Sequence, residues 1–253
     1  MSSPLAVLVA GIALGLIAGS FLGALVTRWP RGESVMRGRS HCDHCGRTLG
    51  PRDLVPLLSA WASGLRCRSC GGRIDPAHSL LEAGAATIGG AAFALAPDMI
   101  AAIGWSLLGW CLLALAILDA RHFWLPDRLT LPLAFMGFVI GPFTTAASMT
   151  DRWIGAAGGY GALLALSIAY RVARGRDGLG LGDAKLLGAL GAWGGWMILP
   201  FVLFLASLSG LIWAIWIAWR GGVVHAGSRI PLGTFLCVAA GPALWFGNLL
   251  LHL

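Results

Sequence analysis

Two aspartates and four cysteines are the residues of this sequence whose types and spacing point to chemistry. Asp183 stands in Gly178-Leu179-Gly180-Leu181-Gly182-Asp183-Ala184-Lys185, where a basic loop (Arg171, Arg174, Arg176) runs into an apolar stretch starting near Leu186. Asp119 ends a second apolar run, residues 109–118. An ionisable residue at a membrane edge is expensive and usually has a task. Two carboxylates held close cannot both ionise readily, so such a pair shares a proton. The ionised member can take a proton from water while the protonated member polarises a peptide carbonyl. The structural alternative is a pair of caps or ion pairs, with Asp183 capping its own helix. The alternate glycines leave a backbone that another chain can approach closely. That makes Gly180, Gly182 and the adjacent Lys185 candidate substrate contacts.

The cysteines form two pairs, Cys42-x2-Cys45 and Cys67-x2-Cys70, with 21 residues between them. Together they supply the four thiolates that a tetrahedral Zn2+ requires. Two disulfides are the other reading. A two-residue gap is tight for a bridge, and the basic flanks place the segment in the reducing cytoplasm. His41 and His44 flank the first pair, but four cysteines already fill the shell. Cys111 and Cys237 lie in apolar runs and read as core residues.

The elements that must position these residues are membrane helices. The chain is 253 residues long, 57% hydrophobic and only 11% charged, with mean hydropathy +0.79. A soluble domain carries roughly 25% charged residues. The composition therefore predicts an all-α polytopic membrane protein. Residues 4–26 are apolar, long enough to cross a core of about 30 Å and too long for a signal peptide, so they read as a retained helix. Gly11, Gly15, Gly19 and Gly23 recur every four residues and mark one face for close helix packing. Residues 28–78 are polar, basic and rich in turn residues. Seven more apolar segments follow, at about 79–96, 101–118, 129–146, 153–170, 186–197, 199–219 and 231–251. The expected division is a first transmembrane helix (1–27), a cytoplasmic four-cysteine insert (28–78) and a seven-helix membrane domain (79–253).

Eight helices put both termini on one side of the membrane. With that topology 17 of the 18 basic residues fall on the side of the insert, and Arg152 alone lies opposite. The positive-inside rule places the insert and both aspartates at the cytoplasmic face and the termini on the other side. The same distribution explains the net charge of +7 without nucleic acid; lipid is the expected surrounding. Among the other carboxylates, Asp98 and Asp151 read as solvated loop residues and Asp127 as a helix N-cap. Asp177 reads as a partner for a nearby arginine. Glu82, inside the start of the second helix, reads as a domain–membrane contact or part of a site.

In this order the segments resemble the type IV prepilin peptidases, bifunctional membrane aspartyl proteases with a GxGD motif. Gly19-Ser20-Phe21-Leu22 through Arg28-x-Pro30-Arg31-Gly32 is similar to the family's first segment. The cysteine pairs, with Leu54-Val55-Pro56-Leu57 and Leu80-Leu81-Glu82, are similar to its cytoplasmic insert and flanks. Leu118-Asp119 with Leu125-Pro126-Asp127-x-Leu129-Thr130-Leu131-Pro132, and Gly178-x-Gly180-x-Gly182-Asp183-x-Lys185-Leu186, resemble the segments carrying the two catalytic aspartates. The resemblance covers nearly the whole chain. It implies that Asp119 and Asp183 cleave the basic leader of prepilins or type II secretion pseudopilins after a glycine, at the cytoplasmic face of a bacterial inner membrane. It also implies methylation of the new N-terminus from S-adenosylmethionine. Gly23, Asp43 and Ala77-His78-Ser79 stand where the family usually has asparagine, proline and Arg-Tyr-Pro; all lie in the region linked to methylation. Two rival readings are a presenilin-like intramembrane protease and a proton-coupled transporter. The first lacks the cysteine insert, and this chain shows no Tyr-Asp dipeptide. The second places its carboxylates near the midplane rather than at one edge.

Overall fold

Each apolar segment of the sequence falls on a helix in the computed structural model, which describes residues 3–36, 39–175, 178–222 and 230–251. Arg37, Arg176, Asp177 and Arg229, used in the reading above, lie outside the described residues. The helices are α1 (Pro4–Arg28), α2 (Leu58–Ala62), α3 (Pro76–Leu95), α4 (Met99–His122), α5 (Asp127–Val139), α6 (Met149–Arg174), α7 (Leu181–Gly194), α8 (Leu199–Trp219) and α9 (Leu232–Leu251). Among the described residues, four stretches are long and apolar enough to cross a membrane: Pro4–Arg31, Met99–His122, Met149–Arg174 and Trp196–Trp219. The chain divides into two compact units, residues 1–114 and 115–253.

In the first unit α1 lies against α3 along its glycine stripe. A Cβ on Gly11 would come 2.5 Å from the Gly89 carbonyl oxygen, and one on Gly19 would come 2.6 Å from the Glu82 Cα. The two backbones therefore touch with no side chain between them, the close packing that small residues permit. Asp98 is a cap as well as a surface residue: its Oδ1 accepts the Ala101 N–H at 2.8 Å at the start of α4.

The second unit is built around α7. From Asp183 to Gly194 every residue of this helix except Lys185 is buried. Fourteen residues rise only about 21 Å, less than a hydrocarbon core of about 30 Å. Such a short helix is tolerated at membrane depth when its ends are enclosed by protein and its free backbone groups find partners. Arg152 supplies them at the C-terminal end. Its guanidinium donates to the carbonyls of Ala192 (3.0 Å), Trp193, Gly137 (3.2 Å) and Thr145 (3.1 Å), and Thr145 Oγ1 donates to the Trp193 carbonyl at 2.7 Å. Arg152 is fully buried. The one basic residue that counted against the charge asymmetry is thus an internal cap for α7 and not a charge in a loop. Asp151 is likewise no free loop carboxylate. It forms a capping box with Ser148 at the start of α6 and accepts the Trp196 indole N–H at 3.0 Å. The segment expected as a span at 129–146 ends as a helix at Val139; Gly141-Pro142-Phe143 form a 3-10 turn. Proline lacks the N–H that an α-helix needs in its interior.

Candidate active site and cysteine cluster

Asp119 and Asp183 are brought together by the first turn of α9. The leading N–H groups of a helix have no partner within it, and the helix dipole makes that end positive. Here one of these donors is used on a carboxylate and the next lies beside the other. Thr234 N–H donates to Asp119 Oδ2 at 2.7 Å, and the neighbouring Gly233 N–H faces the Asp183 carboxylate. The Thr234 hydroxyl lies 3.1 Å from Asp119 Oδ2 and 3.0 Å from the Ala116 carbonyl. With one proton it serves one acceptor at a time. Asp183 is the third residue of α7, and its carboxylate lies near Gly180, the helix N-cap. Both side chains are buried, Asp119 at 5% exposure and Asp183 at 9%.

Leu125 keeps the three helix ends in register. It is buried, and it fills the room that Gly182 and Gly233 leave at the starts of α7 and α9. A Cβ on Gly182 would sit 2.8 Å from Leu125 Cβ; one on Gly233 would sit 2.7 Å from Leu125 Cδ1 and 3.0 Å from Asp119 Oδ2. Gly182 is therefore bare because its own chain fills the space. A Cβ on Gly180 would come 3.1 Å from Asp183 Oδ2, with no other side chain near it. Lys185 does not reach the aspartates in hydrogen-bond contact; its Nζ grips both carboxylate oxygens of Asp127, at 2.7 and 2.8 Å. Asp127 is thus an ion-pair partner in the first turn of α5, whose N-cap is Pro126. Phe123 ends α4 in the left-handed region, φ +50°, accepting strain to turn the chain toward Leu125. Gly233 and Thr234 went unnoticed in the sequence, because neutral residues opening an apolar run carry no charge signal.

In the first unit the four cysteine Sγ atoms lie within 4.8 Å of one another. Cys42 and Cys70 are 3.9 Å apart at sulfur. Tetrahedral bonds of about 2.3 Å to a shared Zn2+ require S···S of about 3.8 Å, so the set fits one ion. The two pairs are built alike. Cys42 N–H donates to Arg47 O and Gly46 N–H to Cys42 O; Cys67 N–H donates to Gly72 O and Gly71 N–H to Cys67 O. Neither histidine belongs to the cluster: His44 Nε2 lies 3.2 Å from the Arg73 carbonyl, and His41 Nδ1 3.3 Å from that of Arg39. Backbone N–H groups of Cys70 and Ser69 hold the Cys67 thiol down to about 6. At Cys70 the Gly72 N–H acts in the same sense, but burial and the neighbouring sulfurs outweigh it and push the thiol up to about 11. Four thiolates this close need a cation to coexist.

Glu82 is buried in α3 and accepts the Leu57 N–H at 2.7 Å. Leu57 is the centre of a tight turn, with φ +59°, ψ −49° and Leu58 N–H donating to Pro56 O at 2.6 Å. This is the rare, strained γ-turn. Gly23 and His78, two departures from the family pattern, are matched to each other: a Cβ on Gly23 would come 2.5 Å from His78 Nδ1.

A helical membrane protein with two buried carboxylates on one helix terminus and a four-thiol knuckle pair is a narrow class. Sequence comparison identifies it. Residues 106–215 match the type IV leader peptidase family, and residues 13–96 match the bacterial peptidase A24 N-terminal domain. The prepilin leader peptidase/N-methyltransferase of Pseudomonas aeruginosa is 35% identical over 98% of this chain and 93% of its own length. Those of Stutzerimonas stutzeri and Burkholderia pseudomallei are 32% and 34% identical, over 98% and 94% of this chain and 93% and 84% of their own lengths. No solved structure matches. The chain belongs to the type IV leader peptidase family. Membership makes it a membrane peptidase, with N-methyltransferase the second activity in its relatives' names. Gly233 and Thr234 lie beyond the last residue matched by either family segment.

Proposed function

We propose that this chain cleaves the leader of type IV prepilins or type II secretion pseudopilins after its terminal glycine, with Asp119 and Asp183 as a catalytic dyad. It then methylates the exposed amine. The observation that carries the cleavage reading is the meeting of two buried carboxylates at the first turn of α9, where the Thr234 N–H holds Asp119. The dyad shares a proton; one carboxylate activates water and the other polarises the scissile carbonyl. Gly180 keeps the approach to Asp183 free of a side chain, Gly182 makes room for Leu125, and Lys185 ties α7 to α5. The chain crosses the bacterial inner membrane eight times, with the insert and the dyad facing the cytoplasm and both termini opposite. A substrate helix in the bilayer would then present its scissile bond at the level of the dyad. The test is to incubate the purified chain with a full-length prepilin, with and without S-adenosylmethionine, and weigh the products. The expected result is loss of the leader in both cases and a further gain of one methyl group only with the donor. An intact prepilin would remove the proposal.

The cysteine cluster is proposed to hold one structural Zn2+ through Cys42, Cys45, Cys67 and Cys70. The ion would neutralise the thiolates and fix the two knuckles; the chemistry at the aspartates does not use it. Elemental analysis should find about one zinc per chain. Because metal binding supplies much of the folding energy of such small modules, Cys42→Ser or Cys70→Ser should make residues 39–75 protease-sensitive. Metal-free protein with an intact, protected insert would reject the site.

A further inference from the structure

A cleft of about 150 Å3 opens in the first unit between the cysteine knuckles and the facing ends of α1 and α3. Arg28 and Glu82 both line it, each at 8% exposure. Among the described residues of this unit they are the buried cation and the buried carboxylate. No hydrogen bond or ion pair joins them. The other acids of the cleft are engaged: Asp43 with Arg31 at 3.3 Å, Asp53 with Arg47 at 2.5 Å, and Asp75 with the Ala77 N–H at 2.8 Å. Glu82 accepts only the N–H of strained Leu57, which leaves acceptor capacity on a carboxylate that desolvation makes costly to keep without a counter-charge. Arg28 makes no ion pair with any described carboxylate. His78 is close enough to feel both charges.

A buried anion and a buried cation kept apart in one cleft are complementary to a ligand that carries both charges. The geometry points to this cleft as the binding site for the amino-acid end of a sulfonium methyl donor, its sulfonium facing Glu82 and its carboxylate facing Arg28. The assignment rests on the reading that the chain methylates. The volume agrees with partial enclosure. Pockets that engulf a whole drug-sized ligand run to roughly 300–1,000 Å3, so only the charged end is held and the rest lies along the open side. The strained turn at Leu57 is the kind of local cost that persists where a site depends on it.

The experiment measures binding of S-adenosylmethionine to the purified full-length chain by titration calorimetry, alongside S-adenosylhomocysteine, which keeps the carboxylate but has a neutral sulfur. Methylation of the mature product is read separately by mass. Glu82→Gln keeps an acceptor for the Leu57 N–H and removes only the charge. It should weaken the sulfonium donor about tenfold or more, the scale of a charged contact, while changing S-adenosylhomocysteine by no more than about twofold. Arg28→Met should weaken both ligands about equally. In both variants the cleaved product should accumulate unmethylated, and zinc content and leader cleavage serve as the folding controls. Ala24→Phe, which fills the cleft from α1, should block binding if the charge variants fail those controls. A wild-type chain that binds and methylates, with all the folded variants binding within about twofold of it, would overturn the cleft assignment and leave the methylation reading standing. A wild-type chain that neither binds nor methylates would overturn both. Loss of binding to both ligands in Glu82→Gln would overturn the sulfonium-facing role.

Discussion

Asp119→Asn and Asp183→Asn are each expected to lower leader cleavage by at least about 10³-fold, or about 4 kcal/mol of transition-state stabilisation. Both substitutions remove a proton carrier and spare the scaffold. An asparagine at 119 still offers an oxygen to the Thr234 N–H, and one at 183 keeps the size and shape of the aspartate. Thermal stability and zinc content should therefore stay near wild type while activity is lost. The double variant should be no worse than either single one, because residues that act as a unit are strongly non-additive. The assay is cleavage of a purified prepilin in detergent, timed by gel or mass. A single variant that cleaves at near wild-type rate would strike that aspartate from the mechanism. Two single losses that multiply in the double variant would mean that the carboxylates act independently.

Much of this arrangement was readable in the sequence, for physical reasons that differ by residue. Apolar run length reports helices directly, which is why eight segments land on eight helices. Cysteine pairs at two-residue spacing define a local knuckle whatever surrounds them, so the four sulfurs converge as expected. The role of Arg152 is not legible because a charge count uses position along the chain, whereas this arginine folds inward to serve the carbonyls at the end of α7. The role of Gly182 shifted for a similar reason. A glycine reports that something comes close without saying what, and here the neighbour is the chain's own Leu125. Lys185 reads from the sequence as a substrate contact, but its position in the first turn of α7 points it at Asp127. The position of the α9 start is legible in the sequence, but its role beside the aspartates is not, because backbone N–H groups have no sequence signature. Only Pro231 ahead of the helix, and a threonine in its first turn, hint at a terminus with donors to spare.

That hidden terminus carries the second large expectation. Gly233→Ala should cut leader cleavage by about 100-fold, through displacement of one or both carboxylates by a fraction of an ångström to an ångström. The added methyl would meet Leu125 Cδ1 at 2.7 Å and Asp119 Oδ2 at 3.0 Å. Both neighbours are buried, so the methyl cannot be absorbed by swinging a side chain into solvent. Overpacking of this kind costs about 1–3 kcal/mol in stability, and part of it should appear as a lower melting temperature. Thr234→Val should be milder, about 3- to 10-fold in activity, since the backbone donor to Asp119 survives and the lost hydroxyl had the Ala116 carbonyl as a competing acceptor. Thr234→Ser, which keeps the hydroxyl, should stay within about twofold of wild type. The two contacts of the new methyl can be separated. Leu125→Ala in the Gly233→Ala background removes the clash with Leu125 and leaves the one with Asp119. Partial recovery of cleavage in that double variant would assign the damage to α9 being pushed away from the dyad. No recovery would assign it to Asp119 itself. Wild-type kinetics in Gly233→Ala, in protein that melts normally, would show that the first turn of α9 does not position the carboxylates.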